Sequence, residues 1–139
     1  MLTGTFRHTL DTKGRVIVPA RFREDLGDVF MITKGLDECL ALYSMKEWQA
    51  LEEKIAALPM AASRQITRFI FGSAYPVELD NNGRAVIPPE LRKFAGLTKD
   101  VVILGVSSRA EIWDSEKWEN SEDAAPSEQV TNMMIELGL

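Results

Sequence analysis

The stretch Leu-Asp-Thr-Lys-Gly-Arg-Val-Ile-Val-Pro at residues 10–19 returns as Leu-Asp-Asn-Asn-Gly-Arg-Ala-Val-Ile-Pro at residues 79–88. The leucine, aspartate, glycine, arginine and proline are identical at an offset of 69 residues, and the same offset carries Arg23 onto Arg92. An ordered repeat of this kind indicates a duplicated structural unit. The chain is therefore predicted to contain two tandem copies of one small fold.

The similarity continues downstream of the repeated stretch, with small changes in length. The matched segments are 28–32 with 100–104, and 42–48 with 112–118. We predict four regions: a first unit at 1–58, a connecting helix at 59–74, a second unit at 75–120, and an acidic C-terminal tail at 121–139.

Each unit is predicted to begin with a strand, a tight turn and a second strand. Asp11 can accept hydrogen bonds from its own backbone, and Gly14 can adopt a positive φ, so residues 11–14 form the turn. Pro19 ends the next strand and starts a short helix that Gly27 terminates. The predicted strands are 6–10, 16–18, 29–33, 39–43, 84–87, 101–105 and 110–113. The predicted helices are 20–26, 45–58, 62–71, one ending near Phe94, and one around Trp118.

Charge is distributed unevenly along the chain, whose net charge is −5. Residues 1–23 carry five basic side chains against Asp11 alone, a local charge of +4, whereas residues 111–139 carry eight carboxylates against Lys117, a local charge of −7. A polarised chain can present a basic face although its total charge is acidic. The composition is thus compatible with DNA binding, and equally with an ordinary solvated surface.

Several function classes find no support in the composition. No apolar run approaches the roughly 20 residues that span a bilayer, and the N-terminus has no secretory pattern, so a cytoplasmic location is expected. Cys39 is the single cysteine and His8 the single histidine. We therefore predict no disulfide, no metal site and no cofactor, with Cys39 a core residue in a strand. His8, beside Arg7, is expected at a half-exposed strand position, with phosphate contact as the alternative.

The repeated turn has two interpretations. In the first, Asp11 and Asp80 pair with Arg15 and Arg84 and only stabilise the turn. In the second, the arginines bind phosphate or guanine, for which the guanidinium is suited. Two copies in one chain, with basic residues around the first, favour the second interpretation for the arginines and the first for the aspartates.

Residues 2–26, especially 8–16 and 18–23, resemble the MraZ family of transcriptional regulators, which belongs to the AbrB-like swapped-hairpin superfamily. The second unit carries the same resemblance. Its matching segments are Gly83-Arg84, Ile87-Pro88-Pro89, Leu91-Arg92, Ala95-Gly96-Leu97 and Glu111-Ile112-Trp113. The resemblance covers about residues 1–120, and the doubled motif is highly specific.

The resemblance implies an α+β, β-rich fold in which two AbrB-like units form one pseudo-symmetric swapped-hairpin β-barrel with peripheral helices. It implies ring-shaped homo-oligomers, associated with the nucleoid, that bind direct repeats in double-stranded DNA. These repeats lie upstream of the division and cell-wall gene cluster, which includes the regulator's own gene, and binding represses it. The resemblance implies DNA contacts by Lys13, Gly14 and Arg15 in the first turn and by Arg84 in the second. Arg7 and Asn82 are also predicted to bind DNA. Asn81-Asn82 departs from the family pattern, in which a cationic or longer polar residue is usual.

Two other functions remain to be compared. AbrB-like antitoxins bind DNA and neutralise a toxin through a C-terminal tail, which the acidic residues 121–139 would fit, although such antitoxins usually carry one unit per chain. An enzyme with an arginine-lined pocket lacks a nucleophile–base pair or a carboxylate dyad, so no catalytic residue is predicted. Arg64 and Arg68 are expected to be exposed beside an intrachain helix, or to join a basic surface or an oligomer interface. The tail has a helical apolar stripe that could dock on the core or on a neighbour: Val130, Met133, Met134 and Leu137.

Overall fold

The computed structural model describes all 139 residues. Its strands are β1 Leu2–Thr9, β2 Arg15–Ile17, β3 Val29–Lys34, β4 Leu40–Ser44, β5 Tyr75–Glu78, β6 Arg84–Val86, β7 Asp100–Ser107 and β8 Ala110–Asp114. Its α-helices are α1 Ala20–Leu26, α2 Met45–Ala56, α3 Met60–Ile70, α4 Pro89–Phe94, α5 Ser115–Glu119 and α6 Glu128–Glu136. Short 3-10 turns lie at Leu36–Glu38, Phe71–Ser73 and Glu122–Ala124. The fold is α+β and rich in strands, as predicted.

The predicted elements are present, with bounds that differ by a few residues. β1 begins at Leu2 rather than at residue 6, because it pairs with β7 along its whole length. This long-range pairing leaves little local signature in the sequence. α3 begins at Met60 rather than at residue 62, directly after Pro59, whose fixed φ suits the start of a helix.

Six strands form one antiparallel sheet in the order β1-β7-β8-β4-β3-β5. Each unit contributes three of them, and the first strand of each unit pairs with the other unit: β1 with β7, and β5 with β3. At the middle of the sheet β4 pairs with β8, with Ala41 opposite Glu111. The two units are therefore interleaved, because every strand of this sheet has a hydrogen-bond partner in the other unit.

The strands β2 and β6 form a separate two-stranded antiparallel ribbon. Its central pair is Val16 opposite Ala85, two positions related by the 69-residue offset of the repeat. Arg15 lies opposite Val86 and Ile17 opposite Arg84. The ribbon is thus pseudo-symmetric about its centre. Each Asp-x-x-Gly turn leads from the large sheet into a ribbon built by both units.

The hydrogen bonds do not close all eight strands into one ring. β1 and β5 are the edges of the six-stranded sheet, and the ribbon is a ladder of its own. The turns connect the two, since Asp11 N donates to Arg15 O and Asp80 N donates to Arg84 O. Each ribbon strand has only three residues, so it offers few further partners to the sheet.

One hydrophobic core lies on the inner side of the six-stranded sheet. Both ribbon strands turn a side chain into it, Val16 and Ala85, and the short helices add Phe22 of α1 and Leu91 of α4. The sheet contributes the alternate residues of its central strands to the same cluster, namely Phe30, Ile32, Leu40, Leu42, Ile103 and Ile112. This alternation follows from strand geometry, in which successive side chains point to opposite faces.

The outer face of the sheet carries a second, smaller apolar cluster beneath the short helix α5. Trp118 of α5 stacks edge-on against Trp113, and Trp48 of α2 packs beside Tyr43. The two repeat-related tryptophans therefore pack helices on the sheet. Cys39 is fully buried in this cluster, but it precedes β4, which begins at Leu40. The strand therefore begins one residue later than predicted, because Cys39 ends the preceding 3-10 turn, where its carbonyl accepts from Gly35 N and its thiol donates to Leu36 O.

The tail folds as helix α6 and leaves the body of the molecule. Ser127 caps its first turn by accepting a hydrogen bond from Val130 N, and every residue of the helix is exposed. No helix in the structure combines the length and the apolar character that a membrane crossing requires.

Candidate nucleic-acid interface

The first turn is organised by the side chain of Asp11. Its Oδ1 accepts hydrogen bonds from the backbone N–H groups of Lys13 and Arg15, both at 2.9 Å. Gly14 N donates to Asp11 O at 3.0 Å, and Gly14 has a φ of 76°, a conformation that favours glycine. The aspartate and the glycine therefore fix the turn, and they place Lys13 and Arg15 on either side of it.

The second turn repeats this geometry. Asp80 Oδ1 accepts from the backbone N–H groups of Asn82 and Arg84 at 2.9 Å each, and Gly83 has a φ of 72°. The backbone conformation is thus shared, although Asn82 replaces the lysine of the first turn. The two copies differ in charge and not in structure.

An ion pair links the aspartate and the arginine within each turn. The Nε–Oδ2 distance is 2.6 Å between Arg15 and Asp11, and 2.9 Å between Arg84 and Asp80. Hydrogen bonds from the backbone N–H of Arg15 lower the pKa of Asp11 from 3.8 to about 2, and those of Arg84 lower the pKa of Asp80. Both carboxylates are therefore ionised at neutral pH, and each pairs with the arginine of its own turn.

The same ion pairs leave part of each arginine available. Only Nε contacts the aspartate, and the terminal Nη atoms of Arg15 and Arg84 donate no hydrogen bond within the chain. Each of these side chains keeps 28% of its surface accessible. The two interpretations of the arginine are therefore compatible, because one edge can hold the turn while the other faces a partner.

The two turns lie at opposite ends of the ribbon. Gly14 O accepts from Ile87 N at 2.9 Å, and Gly83 O accepts from Val18 N at 3.0 Å, which extends the ladder by one pair at each end. At about 3.3 Å per residue, the two glycines are about 13 Å apart along the ribbon.

The solvent face of the ribbon combines cationic and apolar side chains. Arg15 and Arg84 alternate there with Ile17 and Val86, which are 44% and 54% exposed. Sequence reasoning missed this pair of exposed aliphatic residues. The sequence indicates their exposure through the alternation around Val16, because the neighbours of a buried strand residue lie on the opposite face.

Each turn is also supported by one arginine from the other unit. Arg92 of α4 lies against Gly14, where an added Cβ would come within 2.7 Å of its guanidinium, and Arg23 of α1 covers Gly83 in the same way. Arg23 Nε donates to Val18 O at 2.8 Å, whereas Arg92 Nε is buried without a hydrogen-bond partner. Gly14 and Gly83 are themselves buried, so their lack of a side chain makes room for these arginines.

The sequence repeat pairs Arg23 with Arg92, yet sequence reasoning assigned no role to either residue. The missing information was spatial, because each arginine contacts the turn of the opposite unit.

The remaining predicted contacts differ in their surroundings. Lys13 and Asn82 are exposed at the turns, and their side chains make no hydrogen bond within the chain. Arg7 lies on β1, where its guanidinium pairs with Glu119 at 3.0 Å and contacts Ser115 of α5. The structure thus brings Lys13 and Arg15 together at one turn and gives Arg7 an acidic partner within the chain.

No nucleophile or metal cluster accompanies these residues. Burial raises the pKa of the Cys39 thiol from 9.0 to about 12, so this thiol stays protonated at neutral pH. No group of three His, Cys, Asp or Glu side chains is arranged to hold a metal ion.

Comparison with known proteins places this geometry in a family. The sequence model described as "MraZ protein, putative antitoxin-like" matches the chain twice, at residues 1–69 and at residues 70–136. The chain belongs to the MraZ family. The double match covers almost the whole chain and agrees with the repeat found in the sequence.

Similar MraZ proteins come from several bacteria. The chain is 54% identical to the transcriptional regulator MraZ of Natranaerobius thermophilus over 129 residues, which cover 91% of this chain and 90% of the relative. It is 46% identical to the protein of the same name from Clostridium tetani, and 47% identical to that from Acetivibrio thermocellus, with both chains fully covered. The MraZ family to which the chain belongs is therefore one of transcriptional regulators.

Proposed function

We propose that this protein is a sequence-specific, DNA-binding transcriptional repressor, and that the solvent face of the ribbon reads the DNA. The observation that carries the proposal is the pair of arginines whose Nε atoms hold the turns while their Nη atoms lack a partner in the chain. Relatives that are named transcriptional regulators over their full length support the same function.

The dimensions of the ribbon suit the major groove of B-DNA. That groove admits a two-stranded ribbon, and arginine can bind guanine O6 and N7 there through two parallel hydrogen bonds. Each such contact contributes about 1–3 kcal/mol of discrimination between bases. Ile17 and Val86 lie between the arginines, at positions where they could contact thymine methyl groups.

The proposed contacts divide into readers and supporting residues. Arg15 and Arg84 read bases or phosphates, and Lys13 adds a phosphate contact beside the first turn. Asn82 takes the position of Lys13 in the second turn without its charge. Arg7 is proposed as a peripheral phosphate contact that would have to exchange its partner Glu119 for DNA.

Gly14 belongs to the proposed loop through its backbone. The glycine is buried beneath Arg92, so its part is to allow the close approach of that arginine. Arg92 and Arg23 then support the turns from the opposite units, and they add positive charge near the DNA.

We propose that the chain consists of a first unit at 1–58, a connecting helix at 59–74, a second unit at 75–120 and a tail at 121–139. We propose that the two units close into one swapped-hairpin barrel. In this barrel the ribbon would cover the open side of the six-stranded sheet. We propose further that the protein forms a ring-shaped homo-oligomer that binds direct repeats upstream of the division and cell-wall gene cluster, including its own gene. Linking several weak readers on one scaffold raises the affinity without new contacts. The protein would then act in the cytoplasm, at the nucleoid.

The antitoxin alternative is not favoured, although the matching family model is described as antitoxin-like. The relatives are named regulators, and both units lie in one chain, as expected for the regulator rather than for the antitoxin.

A salt titration tests the proposal. Binding is measured to DNA with direct repeats and to scrambled DNA, for the unchanged protein and for the double variant Arg15→Ala/Arg84→Ala, with oligomer mass recorded for each. We expect the unchanged protein to prefer the repeats at physiological salt, and the double variant to lose this preference at unchanged mass. Lys46→Ala/Lys54→Ala, which removes two charges from exposed positions of α2, is the matched control. Equal preference for the repeats in the double variant would overturn the proposal.

A further inference from the structure

Helix α6 is an amphipathic helix without a partner. Its apolar side chains stay open to solvent, with Val130 at 39%, Met133 at 48% and Met134 at 47% exposure, and Leu137 beyond its end at 77%. These four residues recur at helical spacing and form one stripe. A stripe of this kind on an otherwise packed protein indicates a docking surface.

The tail that carries this stripe is uniformly acidic. Residues 121–139 contain four carboxylate side chains and no lysine or arginine. A complementary site would therefore combine apolar side chains with positive charge.

The outer face of the six-stranded sheet contains such a site beside α3. A groove of about 460 Å³ lies between α3 and β4, and its floor is formed by Ala41 and Tyr43. Ile66 and Phe69 of α3 form one apolar wall. The remaining lining residues include two aliphatic side chains and two basic ones, namely Leu36, Ile70, Lys34 and Arg109.

Helix α3 is positively charged, whereas the tail is negatively charged. It contains Arg64 and Arg68 and no acidic residue, and none of its residues is fully buried. Phe69 remains 42% exposed, and Leu36 across the groove is 73% exposed. The groove is thus an incompletely covered apolar surface. Arg109 is paired with Glu111 at 3.1 Å, so the cationic groups that remain for an acidic tail are Lys34 in the groove and the two arginines of α3 beside it.

We propose that α6 of one protomer docks in the α3 groove of a second copy of this chain. A helix of nine residues is about 13–14 Å long, which suits a single short groove. Two different complementary surfaces on one chain produce head-to-tail contacts, and such contacts form a ring when their rotation closes. The inference rests on the homo-oligomer of the proposed function, and it names the surfaces that build it.

Two variants that interrupt opposite sides of this contact test the proposal. Met134→Glu places a charge in the stripe of α6, and Leu36→Glu places one at the exposed rim of the groove. Both side chains are solvent-exposed, so the fold is expected to survive, which circular dichroism checks. We expect the unchanged chain to assemble, and each variant alone to sediment as a 15.6 kDa monomer.

A mixture of the two variants provides the decisive measurement. The intact α6 of the Leu36→Glu protein can enter the intact groove of the Met134→Glu protein, while the reciprocal contact is lost. The mixture should therefore form a heterodimer of twice the monomer mass and nothing larger. A misfolded variant could not be rescued in this way, nor could a tail that docks on its own chain.

Two controls carry the same added charge elsewhere. Asn132→Glu lies on the opposite side of α6 from the stripe, and Met60→Glu lies on α3 outside the groove. Both should retain the mass of the unchanged protein. Three outcomes would each overturn the docking proposal. The unchanged chain could be monomeric, the Met134→Glu or Leu36→Glu variant could assemble fully, or the mixture could stay monomeric.

The outcome is separable from that of the DNA-binding proposal. Arg15→Ala leaves α6 and the groove intact, so its mass should not change even where its DNA binding does. Conversely, Met134→Glu leaves the ribbon intact, and it should retain weak binding to a single repeat while losing the gain from linked sites.

Discussion

The two turns of this protein share one backbone and differ in charge. Asp11 and Asp80 accept the same backbone hydrogen bonds, and Gly14 and Gly83 have φ values of 76° and 72°. Lys13 in the first turn is replaced by Asn82 in the second. The comparison separates two properties that one motif usually combines: the aspartate and glycine determine the shape of the loop, and the residue between them determines its charge.

The surroundings of the turns increase this difference. Each turn is braced by an arginine of the other unit, but Arg23 Nε finds the carbonyl of Val18, while Arg92 Nε is buried without a partner. The first turn is therefore the more cationic copy. It is also the turn whose supporting arginine, Arg92, has an Nε without a hydrogen-bond partner. We expect it to contribute more to DNA binding, and the second to contribute more to joining the units.

The largest expected effect is the loss of DNA binding in Arg15→Ala compared with Arg84→Ala. We expect affinity for direct repeats to fall roughly 100-fold for Arg15→Ala and roughly 10-fold for Arg84→Ala, since one base contact contributes about 1–3 kcal/mol. Asp11 keeps its two backbone hydrogen bonds in the first variant, so the turn should persist. Titration of labelled DNA measures both variants, and equal losses would show that the two turns are equivalent.

The next effect concerns the stability of the turns. Gly14→Ala forces a side chain into a positive φ and against Arg92, and should lower the free energy of unfolding by about 1–3 kcal/mol. Removing the brace in Gly14→Ala/Arg92→Ala should restore the steric part of this loss. Urea denaturation measures the change. Gly14→Ala/Arg23→Ala is the matched control, because Arg23 covers Gly83. Rescue by the Arg23 substitution instead would contradict the cross-unit contact.

A smaller effect is expected when the charges of the two turns are exchanged. Asn82→Lys should strengthen binding at low salt, and it should steepen the dependence of log affinity on log salt by about 1, as one added phosphate contact does. Lys13→Asn should change both quantities in the opposite direction. If neither slope moves, the residue between aspartate and glycine does not contact phosphate.

Much of this arrangement could be predicted from the sequence, because its signals are local. The Asp-x-x-Gly pattern identified both turns, and the alternation of residues 16–18 placed Val16 and Val18 in the core, where both are buried. Helix α1 was predicted with its observed bounds, because Pro19 and Gly27 mark its two ends.

The interleaving of the units left no comparable signal. β1 pairs with β7 about 100 residues away, and the strand that partners β2 lies in the other unit. The braces by Arg23 and Arg92 depend on the same exchange, so their contacts with the opposite turns were missed even though the repeat pairs them. Local patterns describe each unit, but the contacts that join two copies depend on their relative placement.

The smallest expected effect is the pH dependence of the turns. The folded-state pKa of Asp11 is lowered to about 2 from 3.8 by its hydrogen bonds, and that of Asp80 is lowered as well. A carboxylate whose pKa is lowered on folding stabilises the fold above its unfolded pKa, and this contribution is lost as the pH falls toward the folded value. Melting temperatures of the unchanged protein and of Asp11→Asn should therefore converge between about pH 4 and about pH 2. Asp80→Asn should likewise approach the unchanged protein as the pH falls below 3.8, because the same backbone hydrogen bonds lower the pKa of Asp80. Melting curves that stay parallel over this range would show that the ionised aspartates do not stabilise the turns.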